Sequence, residues 1–406
     1  MSTQGWKTIR LEDALEALID YRGKTPKKTS AGIPLITAKI VKNGFIQEPT
    51  EFIAEEDYDA WMSRGFPMVG DVVLTMEAPL GEVAQITNEA VALAQRIVTL
   101  RGKKGVLDNN YLKYFLKSEA GQVRLKERET GTTVTGIKQS ELRQVEIECP
   151  PIFTQNRIAA ILSSLDDKIE LNRQTNNTLE DIAQAIFKEW FVHFRYPCAT
   201  GEMQESELGP IPKGWKVGAF TDFVEISGGG TPKTAIEKYW NGEILWFSVV
   251  DVPCESDVFV LDTIKKITQA GLDNSSTQLL KEGTTIISAR GTVGKVALCG
   301  VSMAMNQSCY AINGKQDDLG FFTYYLTRSI SLQLQQGANG SVFDTITRNT
   351  FEQLLVVVPP SELIVSFNNI VTPILTKIKD YLCQTTILSK TRDSLLPKLI
   401  SGEIEV

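Results

Sequence analysis

Two long segments of the chain carry apolar residues at intervals of three and four, which is the spacing of one face of an α-helix. The first segment covers residues 154–190, and its stripe consists of Ile158, Ile161, Leu165, Ile169, Leu179, Ala183, Ile186 and Trp190. A helix of this length would extend roughly 55 Å at about 1.5 Å per residue. The stripe is narrow, like a coiled-coil seam, and Asn172 and Asn176 interrupt it. The pattern therefore predicts a long helix that packs against a partner helix.

A second segment, residues 361–400, repeats the stripe. Its members are Phe367, Ile370, Ile374, Ile378, Leu388, Leu395 and Leu399, each of which lies 209 residues after a member of the first stripe. Two amphipathic helices within one large helical core would explain the stripes alone equally well. The constant interval, however, predicts an internal duplication.

The same interval continues outside the two helices. The tripeptide Gly-Trp-Lys occurs around Trp6 and again around Trp215, 209 residues later, and the proline pair at 150–151 recurs at 359–360. These matches predict two copies of one unit, each a globular module followed by a long helix. We place the modules at residues 1–151 and 197–360, and the helical spacers at 152–196 and 361–406.

Within each module the pattern changes to short apolar runs bounded by Gly, Pro or Asn, which are typical of strands. In the first module these runs are 33–41, 70–76, 81–86 and 95–102, and a helical pattern follows at 109–126. Corresponding runs occur in the second module at 244–252, 283–298 and 305–312. We therefore predict an α/β (α+β) fold in which two similar modules are separated by the two long helices.

Composition is ordinary for a globular protein and adds few constraints. The chain has 406 residues, which suggests two to four domains, and 42% of them are hydrophobic. No apolar run is long enough to span a bilayer, and the first residues lack the core of a signal peptide, so we expect a cytoplasmic protein. The six cysteines show no CxxC spacing, and neither a zinc site nor a disulfide framework is predicted.

The net charge of −7 argues mildly against a protein that is held on nucleic acid by charge alone. The charges are unevenly distributed, however. Residues 21–30 are basic with no acidic side chain, whereas residues 48–59 are strongly acidic. A local basic patch could therefore contact phosphates on an acidic protein.

Three motifs in combination resemble those of the specificity (S) subunit of type I restriction–modification enzymes. They are FKEWFVHF at 187–194, GPIPKGW at 209–215 and LLPKLISGEI at 395–404, and the proline pairs precede both long helices. The resemblance covers essentially the whole chain. It implies that each module is a target-recognition domain and that the two helices pack as an antiparallel coiled coil. It also implies two DNA methyltransferase (modification) subunits and the restriction subunits as partners, with S-adenosylmethionine, magnesium and ATP bound by those partners.

We predict no catalytic residue and no metal ligand in this chain. The family's methyltransferase subunit needs an Asn-Pro-Pro-aromatic motif, whereas the proline pairs here follow Cys149 and Val358. Residues 228–233, GGGTPK, do not fit the GxxxxGK[ST] phosphate loop. The missing motifs disfavour a self-contained methyltransferase–nuclease.

Recognition of double-stranded DNA is what remains, and it needs side chains that reach phosphates and base edges. In the first module the candidates for phosphates are Lys24, Thr25, Lys27 and Lys28, and those for base edges are Thr75, Glu77, Gln95 and Arg96. In the second module the candidates are Thr231, Lys233, Ser248, Arg290, Asn306 and Gln307. Each of them could equally be a solvated loop residue. Arg96 and Arg290 are the strongest candidates, and Glu77 and Arg290 occupy equivalent positions in the repeat.

A duplication with antiparallel helices is expected to arrange the modules about a pseudo-two-fold axis. The predicted DNA target is then bipartite, with half-sites of order one DNA turn apart, roughly 34–36 Å. It is asymmetric because the modules differ. The sequence does not determine which bases are read or the length of the spacer between them. The alternative function is a coiled-coil adaptor with two protein-binding α/β modules.

Overall fold

A computed structural model describes residues 5–42, 44–131, 135–253, 256–316, 319–335 and 345–406. They form two compact units: unit 1 is Met1–Lys168 with Ile387–Val406, and unit 2 is Ile169–Thr386. Each unit therefore contains one module and part of both long helices. The predicted boundaries instead separate modules from helices, and they remain a prediction.

Unit 1 consists of short strands and short helices, with the long helices added. Its strands are β1 (Lys7–Arg10), β2 (Leu15–Asp20), β3 (Ile33–Ile36), β4 (Val41–Lys42), β5 (Phe45–Ile46), β6 (Phe52–Ile53), β7 (Val72–Met76), β8 (Leu80–Gln85), β9 (Ala92–Leu93), β10 (Ile97–Gly102) and β11 (Glu146–Cys149). Its helices are α1 (Leu11–Ala14), α2 (Tyr58–Trp61), α3 (Asn109–Lys117), α4 (Glu119–Glu127) and α5 (Gln139–Arg143), and a 3-10 turn covers Glu55–Asp57.

The long helices are α6 (Ile152–Phe187), which continues as a π-helical turn over Lys188–Val192, and α11 (Ser361–Ile400). The strands of unit 2 are β12 (Met203–Gln204), β13 (Ile211–Pro212), β14 (Lys216–Ala219), β15 (Val224–Gly228), β16 (Trp240–Phe247), β17 (Phe259–Val260), β18 (Lys266–Ile267), β19 (Thr285–Ser288), β20 (Val296–Cys299), β21 (Ala304–Met305), β22 (Cys309–Gly314) and β23 (Leu355–Val358). Its shorter helices are α7 (Phe220–Phe223), α8 (Gln269–Asp273), α9 (Phe322–Gln335) and α10 (Arg348–Glu352), with 3-10 turns at Glu237–Tyr239 and Val249–Asp251.

The two units share the order of four main-sheet strands, to which unit 2 adds β17 at one edge, and this confirms the duplicated fold. The main sheet has the strand order β2-β10-β7-β8 in unit 1 and β15-β22-β19-β20-β17 in unit 2. In each unit the first strand of the module pairs with the last, as β1 with β11 and β14 with β23. The parallel pair of β3 and β9 likewise corresponds to the pair of β16 and β21.

The central strands are buried on both faces, because their alternate residues enter different cores. In β7, Val72 and Leu74 pack with helix α3, whereas Val73 belongs to a separate cluster that includes Ile36. The neighbouring residues Ile286 and Ile287 of β19 are divided between two cores in the same way. A strand that is covered on both sides has a nearly continuous apolar sequence, and this explains the run VVLTM.

In unit 2, helices α6 and α11 pack antiparallel. Asn172 Nδ2 donates to Gln384 Oε1 at 2.9 Å near one end of the pair. Near the other end, the rings of Phe187 and Phe367 lie 5.9 Å apart. Residue numbers thus rise along one helix as they fall along the other.

The same antiparallel pairing occurs in unit 1. Arg392 of α11 contacts Asp166 of α6, whereas Leu399, further along α11, packs in the cluster that contains Ile158. Both units therefore agree with the predicted helix pairing.

The buried stripe of α6 differs in detail from the predicted seam. Of the predicted seam residues, Ile158, Ile169, Phe367 and Ile378 are buried, and Leu165, Leu179, Ile186, Ile374, Leu388 and Leu395 are half-buried. Ile161 and Ile370 lie outside the buried stripe, with 37% and 41% of their surface exposed. The adjacent Leu162 and Val371 are buried instead. Asn172 and Asn176, which were expected to interrupt the stripe, are also fully buried in it.

A buried carboxylate connects helix α6 to the module of unit 1. Asp166 accepts hydrogen bonds from Tyr114 Oη at 2.8 Å and from Arg392 Nη1 at 2.7 Å, and Lys113 Nζ lies 3.5 Å from it. Burial alone would raise the pKa of Asp166, but Lys117, Arg392, Lys113 and Tyr114 outweigh burial and hold that pKa below its usual value. Asp166 is therefore an ionised carboxylate surrounded by cations.

Unit 2 contains an analogous contact. Tyr325, which corresponds to Tyr114 in the repeat, donates to Glu180 Oε2 at 2.8 Å, and Arg328 forms an ion pair with the same carboxylate. Here the effect of burial is larger than that of Arg328 and Tyr325, and it raises the pKa of Glu180 to about 7. In both units, α6 thus presents a buried acid to a tyrosine of the module.

Candidate nucleic-acid interface

In unit 1, four chain segments meet at one end of the main sheet, and we call this region the strand-end surface. β2 ends there at Asp20, β7 ends at Met76, and β10 begins at Ile97. Met76 N donates to Arg96 O at 2.9 Å, and Ile137 N donates to Met76 O at 2.9 Å. Antiparallel neighbours bring these ends together, so residues far apart in sequence share one surface.

The strand-end surface of unit 2 is built by equivalent bonds. Ala289, after β19, donates its N–H to Ser308 O at 2.8 Å, and Ile346 N donates to Ala289 O at 3.0 Å. Ile346 corresponds to Ile137 of unit 1. Arg348 Nη2 in addition donates to Ile226 O at 3.2 Å. Main-chain hydrogen bonds therefore hold an equivalent surface in place in each unit.

A buried hydroxyl supports the loop at each strand-end surface. Thr75 Oγ1 accepts a hydrogen bond from Glu82 N at 2.9 Å, and Ser288 Oγ accepts one from Lys295 N at 2.8 Å. Thr75, predicted as a base-edge contact, has 0% of its surface exposed. Because it is buried, Thr75 cannot reach DNA. Its hydroxyl, near the end of the central strand β7, instead satisfies a backbone N–H of the hairpin between β7 and β8.

Glu77 and Arg96 lie together on the strand-end surface of unit 1. Arg96 Nε is 3.3 Å from Glu77 Oε1, and their side chains are 53% and 38% exposed, respectively. Gln95, the third candidate in this region, is half-buried. The structure therefore brings the predicted base-edge candidates into one place, with Thr75 as the buried exception.

The predicted phosphate contacts follow β2. Lys24, Thr25 and Lys27 are exposed. Lys28 is exposed as well, but its Nζ lies 2.7 Å from Glu51 Oε2. This ion pair with the acidic segment partly neutralises Lys28, whereas the charges of Lys24 and Lys27 face solvent.

In unit 2, Thr231 and Gln307 are hydrogen-bonded to each other through their side chains. Asn306 Oδ1 accepts from Ser308 N at 3.0 Å, so its side chain supports the turn before β22. Lys233 and Arg290 are exposed. These five candidates come from the segments that follow β15 and β19 and precede β22, as their counterparts do in unit 1.

Ser248 is engaged away from these segments. Its N and Oγ each lie 2.8 Å from Asp251 Oδ2, in the arrangement that caps the turn Val249–Asp251. The side chain therefore serves local structure, as serine does at the start of many helices. The sequence alone does not distinguish this role from a contact with DNA.

Two glycines of the sequence SGGGTPK, Gly229 and Gly230, are needed for close packing. A Cβ atom on Gly229 would overlap Asn306 O, and one on Gly230 would overlap Ser276 Oγ. Neither glycine belongs to a phosphate loop. Gly229 lets the segment after β15 approach the turn before β22, and Gly230 lets it approach Ser276.

Sequence reasoning missed two arginines of unit 1. Arg22 Nη2 donates to Ile137 O at 2.8 Å, and Arg64 Nη1 donates to Asp20 O at 2.8 Å and to Arg22 O at 2.9 Å. Arg22 falls within the basic segment 21–30, which was a usable signal. Arg64 is isolated in the sequence, and no local pattern connects it with this surface.

Two further observations concern the residues that the structure describes. They contain no group of three or more His, Cys, Asp or Glu side chains that could hold a metal ion. None of the helices in the described ranges is both long and apolar enough to cross a bilayer.

Comparison with known proteins gives consistent matches. The family model for the type I restriction modification DNA specificity domain matches residues 3–181 and 212–382, that is, both copies of the repeat. The type I restriction enzyme MjaIX specificity subunit of Methanocaldococcus jannaschii is 30% identical over 414 residues, which cover 99% of this chain and 94% of that protein. The HindI specificity subunit of Haemophilus influenzae is 25% identical over 331 residues, 67% of this chain and 72% of that protein.

A solved structure has the same fold. The crystal structure of a type I restriction–modification S subunit from M. genitalium superimposes with a TM-score of 0.59 at 16% identity, covering 97% of this chain and 96% of that one. At this identity the similarity concerns the fold alone.

Proposed function

The chain belongs to the type I restriction–modification DNA specificity family, and we propose that each copy of its repeat reads one half of a bipartite, asymmetric DNA target. The observation that carries the proposal is the pair of strand-end surfaces. They share a scaffold of main-chain bonds but differ in their exposed side chains, with Glu77 and Arg96 in one and Arg290 and Gln307 in the other. Glu77 and Arg290 occupy equivalent positions, and side chains of opposite charge at one position are expected to select different bases.

Phosphate contacts are proposed to orient each module on the duplex. Lys24 and Lys27 in unit 1 and Lys233 in unit 2 are exposed next to these surfaces. Such contacts add affinity without sequence information. The whole chain has a net charge of −7, so we expect weak binding of DNA by the isolated chain and strong binding in complex with the methyltransferase subunits. A gel shift with full affinity for the chain alone would contradict this expectation.

Methyltransferase subunits are the proposed partners of the helices, and restriction subunits complete the complex. Apolar side chains outside the seam are exposed on both helices: Leu171 and Ile182 on α6, and Ile387 on α11. Such side chains suit partner helices. S-adenosylmethionine, magnesium and ATP are proposed to bind to the partner subunits. The adaptor alternative has no comparable support, because the family match covers both modules.

The test compares methylation maps from cells that express the complete complex. We expect Arg96→Ala and Arg290→Ala each to change the preferred bases of one half-site, and the two variants to affect opposite half-sites. Lys281→Ala is the matched control, because Lys281 is exposed at the other end of β19. Both arginine variants changing the same half-site, or neither changing any, would refute the assignment of one half-site to each strand-end surface.

A further inference from the structure

Arg96 is held from one side by a carboxylate. Glu77 Oε1 lies 3.3 Å from Arg96 Nε, and the Arg96 side chain is 53% exposed. A guanidinium carries its donors as a planar fork. A partner at Nε leaves the terminal Nη1 and Nη2 groups as a pair of parallel donors. A guanine presents the matching pair of acceptors, O6 and N7, in the major groove.

The backbone at Glu77 is held between two neighbouring segments, one at Arg96 and one at 136–137. Met76, the preceding residue, donates to Arg96 O and accepts from Ile137 N, both at 2.9 Å. Glu77 also forms an isolated β-bridge with Gly136. A Cβ on Gly136 would come within 2.9 Å of Glu77 Cβ and 2.7 Å of Met76 O, so only glycine lets these chains approach.

Among the residues that the structure describes, Glu77 is the partner of the Arg96 side chain, and ordering an arginine at an interface costs binding free energy. A carboxylate on a fixed backbone reduces that cost by holding the arginine in place before DNA arrives. The pair is exposed, so its effect on folding stability should be small. Its effect should instead appear in DNA recognition.

Unit 2 contains a parallel arrangement made from different residues. Gln307 lies two residues before β22 and corresponds to Gln95 rather than to Arg96, and Thr231, from the segment after β15, forms a hydrogen bond to the side-chain oxygen of Gln307. In both units the long polar side chain before this strand is held by a neighbour on the strand-end surface.

We infer that Glu77 is a positioning residue, which holds Arg96 so that its terminal Nη1 and Nη2 groups pair with a guanine in the first half-site. Glu77 itself then contacts no base, although its residue type would allow a direct contact with cytosine. The inference rests on the proposed function and adds a division of roles within it.

The experiment measures methylation rates of the complete complex on duplexes that carry each single base-pair change of the first half-site. Arg96→Ala should reduce discrimination by about 10- to 100-fold at one base pair. Glu77→Gln should reduce discrimination at that same base pair by a smaller factor. The double variant should discriminate between base pairs as well as Arg96→Ala does, because Glu77 has nothing to position once the Arg96 side chain is removed. Arg96→Lys should not restore discrimination, since lysine lacks the fork.

The control is Glu89→Gln, an exposed carboxylate in the turn between β8 and β9. It should leave every base preference unchanged. If Glu77→Gln alters a different base pair from Arg96→Ala, and the effects add, Glu77 reads its own base and the inference is wrong. It is also wrong if Arg96→Ala changes a preference and Glu77→Gln changes none. If Arg96→Ala leaves all preferences unchanged, it is the proposed function of this surface that fails.

Discussion

Replacing Glu180 by glutamine should remove a pH dependence from the stability of unit 2. Burial raises the pKa of Glu180 from 4.5 to about 7 in the folded protein. Below pH 4.5 the carboxyl group is protonated in both states and stability is unaffected. As the pH rises from 4.5 to about 7, the unfolded chain loses this proton while the folded chain keeps it, so folding becomes less favourable. The gap between the two pKa values corresponds to about 3 kcal/mol of lost stability, complete above about pH 8.

Amide hydrogen exchange in helix α9 would measure this effect, because Tyr325 and Arg328 of α9 contact Glu180. The wild type and Glu180→Gln should have similar protection at pH 4.5 after correction for intrinsic exchange. The variant should be better protected by about 3 kcal/mol at pH 8. Glu362→Gln, at the exposed start of α11, is the matched control. A difference between wild type and Glu180→Gln that stays constant from pH 4.5 to pH 8 would refute the reasoning.

Three further changes test the fold. Asp166→Ala should destabilise unit 1 by about 3–5 kcal/mol in urea unfolding, because it removes the buried carboxylate that pairs with Lys113 and Arg392, whereas Ala at the exposed Asp167 should cost far less. Gly229→Ala should lower the melting temperature, because its Cβ would overlap Asn306 O, and Gly228→Ala, where the nearest atom is 4.0 Å away, should not. Removing seven residues, about two turns, from each long helix should change the spacer between half-sites in methylation maps. Altered half-site bases would contradict this separation of spacing from reading.

The repeat was predictable from sequence because it is marked by residue types that few other residues can replace. Trp6 and Trp215 and the proline pairs keep one interval, and the topology of the two units follows it. The central strands were predictable as well, since burial on both faces requires an apolar run such as VVLTM.

The phase of the helix seam was harder to predict. Asp166, Asn172, Asn176 and Glu180 are buried in α6, and their partners lie far away in the sequence. Arg392, for example, reaches Asp166 from a position 226 residues later. A polar residue in a seam is indistinguishable from a surface residue until its partner is known.

The candidate interface shows the same limit. Arg96 and Glu77 come together as proximity of the strand ends requires, but residue type alone does not reveal that they contact each other. Thr75 and Ser248 are polar residues beside loops, yet the Thr75 hydroxyl accepts from a backbone N–H and the Ser248 hydroxyl donates to Asp251. Arg64 reaches this surface only through the tertiary fold.

The anchoring of the strand-end surfaces by main-chain bonds and buried hydroxyls has an evolutionary consequence. Side chains such as Arg96, Arg290 and Gln307 are exposed on a framework that main-chain hydrogen bonds hold together. Mutations at these positions can therefore accumulate at little cost to the stability of the fold. Under the proposed function, substitutions on one strand-end surface would change the bases read by that module and leave the other module unchanged.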